Sequence, residues 1–253
     1  MKLTKMEQLS QEEELNKINI TCDVNQEQDP MRYNERRRRR VIGPAMSLIG
    51  RLIFVTFTVY IIYMCFEDYS LFSWHPTCMT VGSLLLMAEA VMTISQDSII
   101  ASKLDHHGRV RLHWVLQAGA AGFIFAGFLV IVINKNINNK NHFQSWHSII
   151  GLVFFILVGI TSSGGVITLY TLRMKHFIKP AKMKLMHNLV GVLTFSLGVV
   201  TEIFGIYTAW FPKHSTPTLQ LVCTVLVALA GIFTLEGALK SAYARFKALY
   251  QSL

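Results

Sequence analysis

Long runs of apolar residues, separated by short polar segments, are the dominant pattern in this 253-residue chain. Six runs of more than 20 residues follow residue 40, at approximately 44–66, 75–95, 112–133, 147–170, 186–210 and 218–239. At 1.5 Å of rise per residue, each is long enough to cross ~30 Å of hydrocarbon. Most are apolar around the whole helix, as is typical of helices in a membrane. The pattern predicts an all-α membrane protein built as a bundle of six transmembrane helices.

The polar segments divide the chain into three parts. Residues 1–40 contain eight acidic residues and almost no apolar run, which predicts a disordered tail. The tail ends in five consecutive arginines, 36–40, and such a run before an apolar block is typical of a cytosolic topology anchor. Residues 41–245 are predicted to form the six-helix domain, and residues 246–253 a short cytosolic C-terminus.

Composition supports a membrane location and gives an orientation. The chain is 52% hydrophobic and only 15% charged, whereas soluble domains are about one quarter charged. With the N-terminus in the cytosol, 20 lysines and arginines lie on the cytosolic side and three on the other. This positive-inside bias predicts that both termini are cytosolic. It also explains the net charge of +9, so we expect contact with membrane lipid and no nucleic-acid partner.

Cysteine spacing excludes a disulfide scaffold. The chain contains no CxxC pair and no cysteine spacing typical of a metal site. A bridge between Cys65 and Cys78 is conceivable across one loop, but buried thiols are the simpler expectation.

Four histidines begin predicted helices, where ionisable side chains indicate function. These are His75, His113, His147 and His187. Because successive helices run in opposite directions, His75 and His147 share the non-cytosolic level, and His113 and His187 share the cytosolic level. A wet, interfacial role suits any single one of them, but the sorting into two pairs favours a ligand.

Two imidazoles at each level are too few for a zinc site, which uses three or four protein ligands. A haem requires only axial ligands, and facing helices of a bundle can hold one. The pattern therefore favours two bis-histidine haems, with both irons six-coordinate and the chemistry limited to outer-sphere electron transfer. The alternative is a non-redox transporter of divalent metal ions that uses the same histidines.

Glycines accompany the histidines along the predicted helices. Gly151 and Gly191 each follow a histidine by four residues, and Gly82 follows His75 by seven. They predict either room for a macrocycle or close helix packing. The run Ser162–Gly165 is expected near the cytosolic pair.

Four stretches around these histidines resemble the cytochrome b561 family. They are Ser73-Trp74-His75-Pro76, His113-Trp114-Val115-Leu116-Gln117, His147-Ser148-Ile149-Ile150-Gly151 and the segment from Lys182 to Gly191. The resemblance covers about residues 42–245. The run Ser163-Gly164-Gly165-Val166 and the Lys-x-Lys-x-x-His spacing resemble the short subgroup called cytochrome b561 domain-containing protein 2.

The resemblance implies two b-type haems held by the four matched histidines, His75 with His147 and His113 with His187. It also implies a transmembrane reductase that takes electrons from cytosolic ascorbate. The acceptor would be monodehydroascorbate radical or Fe³⁺ on the lumenal or extracellular side. The resemblance also implies a homodimer. It implies a location in the membrane of the endoplasmic reticulum or of a vesicle, with the plasma membrane as the alternative.

Cations near the cytosolic histidines are candidates for binding the donor. The chain has no counterpart of the basic stretch that family members carry near their ascorbate site. The candidates are Arg109, Arg111, Lys182 and Lys184. Topology and neutralisation of haem propionates explain the same cations equally well, and helix N-termini at this face favour either anion.

Four charged side chains lie at membrane depth, namely Arg51, Glu89, Glu202 and Glu236. Proton movement, tuning of a haem and interhelical hydrogen bonding all remain open for them.

Overall fold

The computed structural model describes residues 12–17, 41–94, 103–171 and 179–251, and the regular structure in these ranges is helical. Six helices are long and apolar enough to cross a membrane, which confirms the six-helix prediction. They are α1 Gly43–Glu67, α2 Leu71–Ile94, α3 His106–Ile137, α4 Trp146–Tyr170, α5 Pro180–Ile206 and α6 Pro217–Tyr250. The chain is a multi-pass membrane protein.

Helices α3 and α6 extend beyond their apolar runs, and a polar side chain caps the start of each. The Asp105 side chain accepts a hydrogen bond from the Gly108 backbone N–H, so α3 begins at His106 rather than at residue 112. Thr216 caps α6 in the same way, and Pro217 occupies its first turn. At its other end α6 continues to Tyr250, past the last apolar run.

Helix α2 changes its winding along its length. It starts with a 3₁₀ turn, Leu71–Ser73, and continues as α-helix over Trp74–Thr80. A π-helical segment, Val81–Met87, follows before the helix returns to α geometry at Ala88. The apolar pattern of the sequence did not predict this π-helical segment. Such segments often occur at functional sites.

The helices pack around a core rich in phenylalanine. Helix α2 packs on α3 and α6, and α5 packs on α4 and α6. Phe54 of α1 meets Phe195 of α5 edge to face, with ring centroids 6.4 Å apart. Many large apolar side chains on the outer surface stay exposed, for example Leu52, Ile156 and Leu221, as suits a surface that faces lipid.

Several sequence predictions concern segments outside the described residues. These include the five arginines 36–40 and most of the tail. Within the predicted tail only residues 12–17 are described, and they are helical and exposed. Lys17 Nζ lies 3.7 Å from Glu13 Oε1. Residues 46–253 form a compact unit of their own. Cys65, Cys78 and Cys223 are free and buried, as expected for thiols without a bridge.

Candidate functional site

The four histidines meet as two pairs, one at each end of the bundle. The ring centroids of His75 and His147 lie 6.2 Å apart, with an interplanar angle of 84°. Those of His113 and His187 lie 6.3 Å apart, with an angle of 89°. The structure therefore brings together the residues that alternating helix direction placed at common levels. We call the two regions the His75 end and the His113 end.

Backbone carbonyls fix three of the four rings. The Nδ1 atom of His75 lies 3.0 Å from the Gly127 carbonyl oxygen, and that of His113 lies 2.8 Å from the Ala90 oxygen. His147 Nδ1 lies 3.0 Å from the Thr201 oxygen. Because a carbonyl only accepts, Nδ1 must carry the proton, and the Nε2 lone pair is left for a metal. These acceptors carry no sequence signal, since every residue has a carbonyl.

His187 is held by packing instead. Its Nδ1 is buried without a hydrogen-bond partner among the described residues. A Cβ atom added at Gly165 would lie 3.2 Å from His187 Cε1, and one at Gly164 would lie 3.8 Å from Nδ1. The Ser162–Gly165 run thus lies beside the His113 end, as its position along α4 predicted. A Cβ atom added at Gly205 would likewise lie 3.3 Å from His147 Cε1.

Other glycines near the histidines serve helix packing. A Cβ at Gly82 would lie 2.8 Å from Ile124 Cγ1 of α3, and one at Gly151 would lie 3.3 Å from Thr201 Cγ2 of α5. A Cβ at Gly191 would make only an ordinary contact, 3.9 Å from Thr161 Cγ2. Of the two readings left open for these glycines, their neighbours favour contact between helices.

Aromatic side chains line the His75 end. Phe72 lies with its ring centroid 6.0 Å from that of His75, and Trp210 lies 5.8 Å from Phe72. The His214 ring follows at 5.1 Å from Trp210. The chain of rings joins the helix α2 start to the segment between α5 and α6. Sequence reasoning missed it because residues 72 and 210 are far apart in the chain.

The membrane-depth charges have partners. The Arg51 guanidinium donates two hydrogen bonds to Glu89, at 2.6 and 2.9 Å, and a third to Ser47 Oγ at 3.0 Å. Ser83 Oγ lies 2.7 Å from Glu202 Oε1. Glu236 pairs with Lys240 at 3.0 Å within α6.

The four candidate donor-binding cations lie at the His113 end, in the first turns of α3 and α5. Arg109 precedes His113 by one helical turn and is half-buried, while Arg111 is exposed. Lys182 and Lys184 precede His187 and are also exposed. In the described ranges, none of these four forms an ion pair, so they are available to an anion.

Among the described residues, neither histidine pair is part of a larger metal-ligand set. Within the described parts of the chain, no group of three or more His, Cys, Asp and Glu side chains is arranged to hold a metal ion. The protein is thus a helical membrane protein with two sites inside its bundle, each with two imidazoles. Such a site is suited to hold a cofactor that needs only axial ligands.

Comparison with known proteins identifies the family. A family model described as eukaryotic cytochrome b561 matches residues 74–212. The bovine protein named transmembrane reductase CYB561D2 is 32% identical over 197 residues, which cover 77% of this chain and 86% of the relative. Its human counterpart is 31% identical over 193 residues, covering 75% and 86%. The mouse probable transmembrane reductase CYB561D1 is 29% identical over 194 residues, covering 77% and 84%.

The chain belongs to the cytochrome b561 family. It is therefore a transmembrane oxidoreductase that transfers electrons, and membership implies that it binds b-type haem.

The histidine geometry fits such a haem. Two metal–imidazole bonds of about 2 Å, with about 1 Å from each nitrogen to its ring centre, put two axial rings about 6 Å apart. The measured centroid distances of 6.2 and 6.3 Å agree with this value. The roles of the individual histidines as ligands remain a prediction.

Proposed function

We propose that this protein is a diheme reductase that passes single electrons across the membrane. The donor is ascorbate on the cytosolic side, and the acceptor is monodehydroascorbate radical or Fe³⁺ on the lumenal or extracellular side. The observation that carries the proposal is the pair of histidine sites at opposite ends of one bundle, each with the centroid spacing of two axial ligands.

Each proposed haem has a defined ligand pair. His75 and His147 would hold one, and His113 and His187 the other. A haem with two histidine ligands supplies one-electron chemistry at an iron that has no open position. The Nδ1 hydrogen bonds of His75, His113 and His147 orient the rings and increase their basicity.

The two sites are joined by continuous helices. Helix α3 carries His113 near its start and the Gly127 carbonyl, which accepts from His75, 14 residues later. This separation corresponds to about 21 Å along the helix axis. Phe54, Phe154 and Phe195 are almost fully buried in the core of the bundle, so much of the interior is apolar.

Cations at the His113 end support donor binding there. Arg109, Arg111, Lys182 and Lys184 lie beside two helix N-termini, which together favour an anion such as ascorbate. The same residues would also neutralise haem propionates. The positive-inside bias places this end, and both chain termini, in the cytosol. A homodimer in the endoplasmic reticulum or a vesicle membrane, with the plasma membrane as alternative, completes the proposal.

The competing transporter function has weaker support. A divalent ion bound in transit needs more than two protein ligands of the right kind, and the described residues supply no third ligand to either pair.

The first experiment is a reduced-minus-oxidised absorbance spectrum of the detergent-purified protein, with haem and protein quantified. We expect a low-spin b-type signal at about two haems per chain, because two histidine pairs are available. Ascorbate, added before dithionite, is expected to reduce a substantial fraction of the haem. In vesicles loaded with ascorbate, an external ferric chelate should then be reduced.

Each outcome has a distinct meaning. A colourless protein, even after haem is supplied during expression, contradicts the whole proposal. Two haems that only dithionite reduces contradict ascorbate as the donor and leave the diheme assignment intact.

A further inference from the structure

Two carboxylates inside the bundle stand next to the residues whose carbonyls orient histidines. Glu89 precedes Ala90, whose carbonyl accepts the hydrogen bond from His113. Glu202 follows Thr201, whose carbonyl accepts the hydrogen bond from His147. Each histidine pair is therefore hydrogen-bonded to a residue that has a carboxylate as its sequence neighbour, on α2 at the His113 end and on α5 at the His75 end.

Of these two carboxylates, Glu89 is the one that the described residues pair with a cation. Glu89 forms a bidentate ion pair with Arg51. Glu202, within the described residues, has a single polar contact, which is with Ser83. Ser83 is 1% exposed and lies in the π-helical segment of α2, so the Glu202 carboxyl points into the bundle.

Among the described residues, Glu202 has no ion-pair partner. The elements packed on α5 are α4, α6, the π segment of α2 and the turn Phe211–Lys213, with α1 touching through Phe54. These elements and the last turn of α5 carry several titratable or charged groups toward the His75 end. They are Tyr60, Tyr63, Cys65, Glu67, His75, Cys78, His147, Tyr207, Lys213, His214 and Cys223. None of them hydrogen-bonds to Glu202 or forms an ion pair with it. The pairs Arg51–Glu89 and Glu236–Lys240 belong to the His113 end.

The two contacts of the Ser83 hydroxyl depend on whether Glu202 is protonated. Ser83 Oγ lies 2.7 Å from the Met79 carbonyl oxygen and 2.7 Å from Glu202 Oε1. A hydroxyl has one hydrogen and cannot donate to both oxygens at once. If Glu202 is protonated, its O–H donates to Ser83 and Ser83 donates to Met79, so both contacts are hydrogen bonds. If Glu202 is ionised, one of the two contacts has no hydrogen.

We propose that Glu202 takes up a proton when an electron reaches the haem held by His75 and His147, so that electron arrival at this end is coupled to protonation. The inference rests on the proposed diheme function. Glu202 is a positioning residue that sets the charge beside the haem and does not touch substrate.

The step balances in charge and atoms. A haem held by His75 and His147 would supply one-electron chemistry, in which an electron from the donor reduces iron(III) to iron(II). One proton from bulk water converts the Glu202 carboxylate to the acid, and the acceptor's removal of the electron releases that proton again. The coupling arises because an added negative charge and an uncompensated carboxylate repel each other strongly where the dielectric constant is low.

The test is a redox titration of both haems at several pH values, in the wild-type protein and in E202Q. The haems are distinguished by their low-spin EPR signals, assigned with single histidine variants. In the wild type, we expect the potential of the haem at the His75 end to fall with pH at the slope of one proton per electron. In E202Q that potential should be independent of pH, while the other haem titrates as in the wild type.

A matched control is E236Q, which removes a membrane-depth carboxylate that is already paired with Lys240. It should keep the wild-type slope. A second readout needs no variant: reduced-minus-oxidised infrared spectra of the wild type should show a carboxylic acid C=O band appearing on reduction.

The inference is overturned if E202Q keeps the slope or if the wild type shows no such band. Two haems with potentials independent of pH contradict this inference alone, whereas a protein without haem contradicts the proposed function itself.

Discussion

The four histidines differ in what holds the ring nitrogen that faces away from the proposed iron. His75, His113 and His147 each donate from Nδ1 to a carbonyl of a neighbouring helix. His187 has no such acceptor in the described structure and packs against Gly164 and Gly165 instead. A side chain at Gly165 would press on the ring, because its Cβ would lie 3.2 Å from His187 Cε1, whereas a Cβ at Gly164 would make an ordinary contact at 3.8 Å.

Single histidine substitutions should remove the haems one at a time. H113A or H187A should lose the haem at the His113 end, and H75A or H147A the other, because a six-coordinate iron needs both ligands of its pair. Haem per protein should fall from about two to about one in each case, with one EPR signal lost. H107A, an exposed neighbour at the His113 end, serves as the control. Loss of the same signal in H113A and H147A would show that the pairing is wrong.

At the scale of single residues, the sequence identified the four histidine side chains but not the backbone carbonyls that hold three of them. Ionisable residues in apolar runs are rare, so the histidines were conspicuous. The Gly127, Ala90 and Thr201 carbonyls belong to the backbone, which is the same at every position. Only the packing of helix on helix determines which carbonyl reaches a ring.

Helix α2 is the element in which local geometry matters most. Its π-helical segment carries Gly82, which lets α3 approach, and Ser83, which reaches Glu202 on α5. His75 lies before the segment, and Ala90, whose carbonyl contacts His113, lies after it. We attribute the segment to these contacts on both sides of α2.

G82A should destabilise the bundle by about 1–3 kcal/mol, the usual cost of overpacking. The new Cβ would lie 2.8 Å from Ile124 Cγ1 and 3.1 Å from the Ala120 carbonyl oxygen, so the α3 backbone must move. The measurement is the thermal unfolding midpoint in detergent. G50A is the matched control, because its nearest neighbours, Ala230 O and Phe233 Cβ, lie at an ordinary 3.5 Å. Equal midpoints for the two variants would show that α3 does not constrain this position.

The whole molecule has two chemically different ends. The His113 end carries Arg109, Arg111, Lys182 and Lys184 around the starts of α3 and α5. The His75 end is lined by Phe72, Trp210 and His214. A basic end suits an anionic donor, and an aromatic end suits outer-sphere transfer to an acceptor that is not tightly bound.

R109Q and K184Q should raise the KM for ascorbate by about tenfold and leave haem content unchanged. A charge-assisted hydrogen bond contributes roughly 1.5 kcal/mol, which corresponds to that factor. Steady-state reduction of a ferric chelate, with ascorbate varied, gives the KM. K247Q, an exposed cation near the end of α6, is the control. Wild-type kinetics in R109Q and K184Q would remove both residues from the donor site.

The sequence by itself determined the membrane class, the six helices, the predicted orientation and the four histidines, because hydrophobic length and rare ionisable residues are local properties of the chain. Tertiary structure decided that the histidines meet about 6 Å apart in pairs, that Glu89 is neutralised by Arg51, and that Glu202 shares its hydrogen bond with Ser83. These features join residues far apart in the chain. They depend on the rotation and approach of packed helices, which the order of residues along one helix does not specify.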